Sequence, residues 1–151
     1  MIRIIRNTSD SNDFRELIRL LDKELNDRYG HFQTQYEKYN RIDSLDTVVI
    51  AYSDDIPVGC GCFRRFDNET VEIKRMFVKP DMRSIGIAGK ILSELEKWAV
   101  ENEFSELILE TGIKQPEAIR FYTKKGYAVI DNFGQYIGNS NSICMSKYLN
   151  V

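Results

Sequence analysis

The first chemistry this sequence offers is a site for phosphate. Arg83-Ser84-Ile85-Gly86-Ile87-Ala88-Gly89 joins an alternating strand, residues 70–79, to a long amphipathic stretch. Glycine and alanine here let a ligand approach the backbone closely. The amides of the first helical turn are unpaired, with the positive end of the helix dipole behind them. A loop of this kind binds phosphate or pyrophosphate. Neither common nucleotide fingerprint fits, because G-x-G-x-x-G after a first strand and G-x-x-x-x-G-K-[ST] are both absent.

Other reactive side chains fall around this loop. Arg64, Arg65, Lys74 and Arg75 cluster on two adjacent strands. Alternation turns one member of each pair to the same side, where a guanidinium can grip a carboxylate bidentately. A solvated basic face is the plainer reading. Cys60, Cys62 and Cys144 are odd in number and lie in apolar runs, so they read as buried, reduced thiols and not as a disulfide framework. A C-x-C pair with one histidine in the whole chain is a poor zinc set, and no metal is expected. That histidine, His31, follows a helix end without a placed partner and receives no catalytic role.

These residues need elements to hold them. Met1 to Arg6 reads as a strand, ended by the turn and cap types Asn7-Thr8-Ser9-Asp10. Phe14, Leu17, Ile18, Leu21 and Leu25 mark one face of a helix from about 12 to 28, closed by Tyr29-Gly30. The polar and aromatic segment from His31 to Ser44 contains Tyr36 and Tyr39 at a spacing that fits a short helix. It is either a plain connection or a wall of a substrate site. Thr47 to Tyr52, Ile56 to Phe63 and Thr70 to Lys79 form an antiparallel meander with turns at Ser53-Asp54-Asp55 and Asp67-Asn68-Glu69. Ile87, Ile91, Leu92, Leu95, Trp98 and Ala99 make a helical stripe reaching about Glu103. The strand Leu107 to Glu110 follows, and strand–helix–strand order suggests parallel pairing there. Pro116 opens another helix that Gly126 ends. Tyr127 to Ile130 and Ser142 to Leu149 complete a mixed α/β arrangement around one sheet.

The chain of 151 residues fits one domain, and its 42% hydrophobic and 29% charged residues suit a globular protein with a real core. A net charge of −2 gives no reason to expect nucleic acid or an anionic membrane. No apolar run is long enough to span a bilayer, and the N-terminus lacks a signal-peptide pattern. A cytoplasmic location is expected.

Taken together, the motifs resemble the GNAT superfamily of acyl-CoA-dependent N-acetyltransferases. Arg83-Ser84-Ile85-Gly86-Ile87-Ala88 fits its [Q/R]-x-x-G-x-[G/A] pyrophosphate loop, and Val78-Lys79-Pro80-Asp81-Met82-Arg83 fits the V-x-P-x-x-R approach to it. Gln115-Pro116-Glu117-Ala118-Ile119-Arg120-Phe121-Tyr122-Thr123-Lys124-Lys125-Gly126-Tyr127 looks like the second block, N-x-x-A-x-x-F-Y-x-x-x-G-F, with Gln115 where asparagine is commoner. Asp54 to Cys62 resembles the meander hairpin, with Asp55-Ile56 replacing its usual turn glycine. The likeness spans essentially the whole chain.

The resemblance implies an α/β (α+β) GNAT fold over residues 1–151: a single mixed, mostly antiparallel sheet of about seven strands flanked by about four helices. It implies acetyl-CoA as cosubstrate and acetyl transfer by direct attack to a primary amine of a small metabolite, amino-acid-like ones included. A protein-modifying enzyme of the same fold and a catalytically silent acyl-CoA-binding domain are the alternatives. No nucleic-acid or membrane partner is implied, and a homodimer is compatible. The cofactor residues would be Met76, Phe77 and Val78 for the pantetheine arm, Arg83, Ser84, Ile85, Gly86, Ile87, Ala88 and Gly89 for the phosphates, with Gln115 and Tyr122. The Met76 amide would face the developing oxyanion. Glu72 matches the position of a glutamate base, with Glu110 as second candidate, and Tyr122 matches the general acid toward the CoA sulfur. Glu72 also reads plainly as a carboxylate that is solvated or paired with Lys74 or Arg64. Tyr122 also reads as a core tyrosine bonded to a carbonyl. Helical spacing puts Ala118, Ile119 and Tyr122 on one face. Acceptor choice falls to the His31 to Ser44 segment and the Asn132 to Asn141 loop.

Overall fold

A computed structural model describes residues 1–29 and 44–149. Seven strands form one sheet, β1 (Ile2–Asn7), β2 (Val48–Ser53), β3 (Ile56–Arg65), β4 (Thr70–Val78), β5 (Glu106–Gly112), β6 (Ala128–Ile130) and β7 (Ser142–Tyr148), in the order β1-β2-β3-β4-β5-β7-β6. Every pairing is antiparallel except β4 with β5. Three α-helices occur among the described residues: α1 (Asn12–Tyr29), α2 (Ile87–Glu101) and α3 (Pro116–Lys124). The sheet is the one expected, and the described residues hold three of the about four helices expected. The short helix expected around Tyr36 and Tyr39, like His31, lies outside the described residues. α2 stops at Glu101, short of the expected Glu103, which takes a left-handed φ of 69°.

Two apolar clusters sandwich the sheet. Ile87, Ile91, Leu92 and Leu95 of α2 pack on Val49, Val71, Ile73 and Leu107, with Tyr122 of α3 in the same cluster. On the other face Phe14, Leu17, Leu21 and Leu25 of α1 cover Val48, Ile50, Cys60, Cys62 and Phe77. The three- and four-residue spacing of these apolar side chains gives each helix one buried stripe.

Two departures from regular pairing open the sheet in its middle. β4 and β5 pair only from Thr70↔Glu106 to Ile73↔Leu109. Beyond that point β4 continues along β3 and β5 along β7, so the two strands diverge. Within β4 a bulge sets Arg75 and Met76 against Gly61 alone, between the pairs Cys62↔Lys74 and Cys60↔Phe77. Arg75 there has a φ of 60°, a left-handed conformation that is costly for a non-glycine residue. Gly61 opposite it makes room for Met76, because a Cβ would lie 2.4 Å from the Met76 sulfur and displace that side chain. The thiols of Cys60 and Cys62 donate to the carbonyls of Arg75 and Lys74, at 3.4 and 3.3 Å. All three cysteines are free and buried, as expected, and two of them also support the bulge.

Candidate active site

The divergence of β4 from β5 creates a cavity of about 110 Å³ whose walls are Glu72 to Met76, Leu109 to Gly112, Leu21 and Leu25 of α1, Gln115, Ala118, Tyr122 and Tyr136. A groove of about 520 Å³ adjoins it along Met76, Phe77, Val78, Arg83, Ser84, Ala88, Phe121 and Tyr122. A third hollow continues past Gly86 to Gly89 and Lys124 to Lys125. Met76 and Tyr122 line both the first cavity and the groove, so they mark the junction.

Helix α1 bridges the opening through three ion pairs at different heights. Asp22 binds Arg75 at 2.6 Å, Glu24 binds Arg83 at 2.8 Å, and Arg28 binds Glu117 of α3.

At the phosphate end, Gly86 caps α2 with a φ of 90° and no side-chain cap bond. The first-turn amides of α2 thus lack a side-chain acceptor, which suits an incoming anion. Gly89 lets Lys125 lie against that turn, since a Cβ would come within 3.1 Å of its Nζ. Ser84 also has positive φ, at 70°, with no glycine to relieve it. The Arg83 side chain points elsewhere: Nε donates to the Val78 carbonyl at 2.7 Å and Nη2 to Glu24. Arg83 therefore fixes the loop. Ile85 is 61% exposed and lines none of these hollows, and Ile87 is buried in the core. The Gln115 carboxamide oxygen accepts the Gly112 amide at 3.2 Å, closing the turn into α3.

At the acceptor end the two carboxylates differ sharply. Glu72 is 1% exposed. Its Oε1 takes Arg64 Nε at 3.2 Å and Nη2 at 3.1 Å, while Oε2 takes Tyr136 Oη at 3.4 Å and lies 3.6 Å from Lys74 Nζ. Burial pushes the Lys74 ammonium below the ordinary lysine range, against the pull of Glu72. Glu110 receives a hydrogen bond from Ser142 Oγ at 2.6 Å, and burial pushes its carboxyl up to about 7. Glu72 thus matches the paired reading, with both Lys74 and Arg64 as partners, and it is not solvated. The solvated basic face holds only for the β3 pair: Arg65 is exposed and the Arg64 side chain is 37% exposed, whereas the Lys74 and Arg75 side chains are 2% and 8% exposed. The bulge and the Glu72 network draw them inward.

Tyr122 is buried in α3, edge-to-face with Phe121 and Tyr127, and burial alone raises its phenol well above the ordinary value. No carbonyl among the described residues holds its hydroxyl. Ala118 joins it on the cavity wall, but Ile119 does not.

Tyr136 carries no signal of its own in the sequence. It is 1% exposed on a 3-10 turn of the Asn132 to Asn141 loop, which Asn132 staples by donating to the carbonyls of Tyr136 and Asn139. The sequence assigns the loop to acceptor choice, but no local pattern distinguishes this tyrosine, which lines the cavity, from the other seven.

The acetyltransferase (GNAT) family model matches residues 14–127, three quarters of the chain. The chain belongs to the GNAT family. An IAA acetyltransferase from Azospirillum brasilense is 34% identical over 143 residues, covering 89% of each chain. A Klebsiella pneumoniae structure, provisionally titled an acyl-CoA N-acyltransferase, superposes with a TM-score of 0.81 at 28% identity, covering 99% of each chain. PaiA N-acetyltransferase from Thermoplasma acidophilum, solved with coenzyme A, shares the fold at a TM-score of 0.74 and 18% identity over 99% of each chain. As a GNAT N-acetyltransferase, the protein takes its acetyl group from acetyl-CoA. The open β4–β5 cleft, the uncapped α2 terminus and the lysines beside it fit that cosubstrate.

Proposed function

We propose that this GNAT chain acetylates the primary amine of a small metabolite by direct attack, as a single cytoplasmic domain, with Glu110 as base and Tyr122 as acid. The observation that carries the reading is the junction of cavity and groove. Glu110 lines the inner cavity, and Met76 and Tyr122 line both it and the groove. Acetyl-CoA supplies an activated thioester, and the rest of the chemistry falls to side chains and backbone.

The α2 terminus, with Gly86, Ala88 and Gly89, receives the pyrophosphate. The free edge of β4 at Met76 to Val78 receives the pantetheine arm in the manner of an added strand. A primary amine has a pKa of about 10.4, so it arrives mostly as ammonium and must lose a proton before attack. Glu110, poised near 7, accepts that proton directly or through one water. The amine nitrogen bonds to the carbonyl carbon while the Met76 amide faces the charge growing on the carbonyl oxygen. As the C–S bond breaks, the Tyr122 phenol, fully protonated at neutral pH, gives its proton to the departing sulfur, and the proton that the nitrogen sheds as the amide forms returns to the phenolate. Glu72 is engaged by Arg64, Lys74 and Tyr136, whereas Glu110 has only Ser142 as a hydrogen-bond donor among the described residues, and this difference favours Glu110 as the base.

Thiol release from acetyl-CoA across a panel of primary amines tests the reading. Turnover should rise with pH through about 7, following ionisation of Glu110. Binding of coenzyme A with no turnover above background on any amine would sink it, leaving an acyl-CoA-binding domain.

A further inference from the structure

The bulge in β4 does more than separate neighbouring strands. With unbroken alternation Arg75 would follow Ile73 onto the α2 face. Instead it pairs with Asp22 of α1, and Met76 takes the place against the α2 cluster. Lys74 and Arg75, consecutive in sequence, thus share the α1 face with Glu72. The conformation that does this is the left-handed φ of 60° at Arg75. Backbone strain of this kind, kept at a cavity wall, is a pointer to function.

The Arg75 guanidinium is only half used. Nη1 donates to Asp22 at 2.6 Å. Nε is buried without any hydrogen-bond partner, and no described residue accepts from Nη2. The Nε–Nη2 edge is the fork that matches the two oxygens of a carboxylate. Lys74 and Arg64 are occupied at the same wall, both on Glu72 and Lys74 also on Tyr136. Arg75 lines the same small cavity as Glu110, Met76 and Tyr122.

We propose that the Nε–Nη2 edge of Arg75 binds a carboxylate of the acceptor, so that the amine acetylated belongs to an amino acid or an amino carboxylate of similar size. This rests on the acceptor site proposed above. The ammonium meets Glu110 and the carboxylate meets Arg75, so a zwitterion enters without changing the net charge of the cavity. A plain alkylamine would leave the fork unpaired and buried, which disfavours its binding.

The test compares amino acids with their own carboxamides as acceptors for the full chain at pH 8. The amino acids should have kcat/KM at least about tenfold higher, with the difference in KM. Arg75→Gln should bring that ratio to about one, and Arg75→Lys, which keeps the charge without the fork, should fall between. Equal use of acid and carboxamide by the unaltered protein, or a ratio retained in both variants, would overturn the proposal. The unaltered protein decides if Arg75→Gln does not fold. In a separate arm, the Arg75 Nε–H resonance is followed while the same amino acids are added in the presence of coenzyme A, and it should shift. A shift without any acetylation would overturn the acceptor reading and keep the carboxylate site. Acetylation with neither preference nor shift would do the reverse.

Discussion

Glu72 on β4 and Glu110 on β5 stand on the two walls of one opening, one residue type in two environments. Glu72 accepts from a guanidinium and a phenol with an ammonium beside it, and it is 1% exposed. Glu110 has one hydroxyl donor, Ser142, and burial raises its carboxyl to about 7. A carboxylate whose negative charge is matched by neighbours suits a structural role, and one that burial leaves poorly compensated suits the proton acceptor proposed above. The divergence of the strands produces the contrast: β4 draws partners from β3 and the Tyr136 loop, whereas β5 beyond Leu109 has only β7 beside it.

Exchanging the two residues in turn is the strongest way to break this comparison. Glu110→Gln should lower kcat/KM by about 100- to 10,000-fold, the range for loss of a general base. Its effect on stability runs the other way. The folded pKa of Glu110 lies above its unfolded value of 4.5, so the native state holds the proton more tightly and stability falls as pH rises from 4.5 through about 7. Removing that group should therefore stabilise the protein at pH 8, by on the order of 3 kcal/mol, and leave it nearly unchanged at pH 4. Glu72→Gln should destabilise by about 3 kcal/mol or more at neutral pH, because Lys74 is left buried beside a neutral partner. Thermal melts of both variants at pH 4 and pH 8 check the pair. Equal destabilisation of both at pH 8 would erase the distinction between the two walls.

A smaller effect sharpens the junction between the cavity and the groove. Tyr122→Phe removes a hydroxyl that no described residue engages, so the fold should tolerate it. The melting temperature should stay within about 2 °C while kcat falls about 10- to 100-fold with KM little changed. Unchanged kcat would remove the general-acid role and leave the rest of the site standing.

The two ends of the site also differ in how far the sequence exposed them. The phosphate end is contiguous: the run 83–89 and the block 115–127 each carry their geometry in local spacing, through Gly86 at a positive φ and Gly89 beneath Lys125. The order of elements, the antiparallel meander and the parallel β4–β5 pairing followed from similar periodicities. The acceptor end gathers Leu21, Glu72, Arg75, Glu110, Tyr136 and Ser142 from elements far apart in the chain. Its decisive feature, the bulge at Arg75, occurs at an arginine and so lacks the glycine that would announce a left-handed residue. Gly61 across the ladder is the only local trace, and it is one of nine glycines. The buried state of Lys74 was hidden for another reason: alternation puts it on the face of Glu72, and only the α1 side of the sheet and the Tyr136 loop, both distant in the chain, bury that face.

The smallest test concerns the one side-chain hydrogen bond that the Glu110 carboxylate accepts among the described residues. Ser142 Oγ donates to its Oε2 at 2.6 Å and so favours the ionised form, second in size to the burial that opposes it. Ser142→Ala removes the donor and leaves the burial, so the carboxyl should rise further. A net hydrogen bond of about 1 kcal/mol corresponds to somewhat less than one pH unit. The acidic limb of the kcat/KM profile should therefore move from about 7 to higher pH by roughly half a unit to a unit, with the plateau at high pH retained. Ser142→Thr, which keeps the hydroxyl, should restore the limb. A change in the plateau with a fixed limb would mean that Ser142 shapes the cavity without setting the ionisation of Glu110, and Glu110 would then owe its altered carboxyl to burial alone.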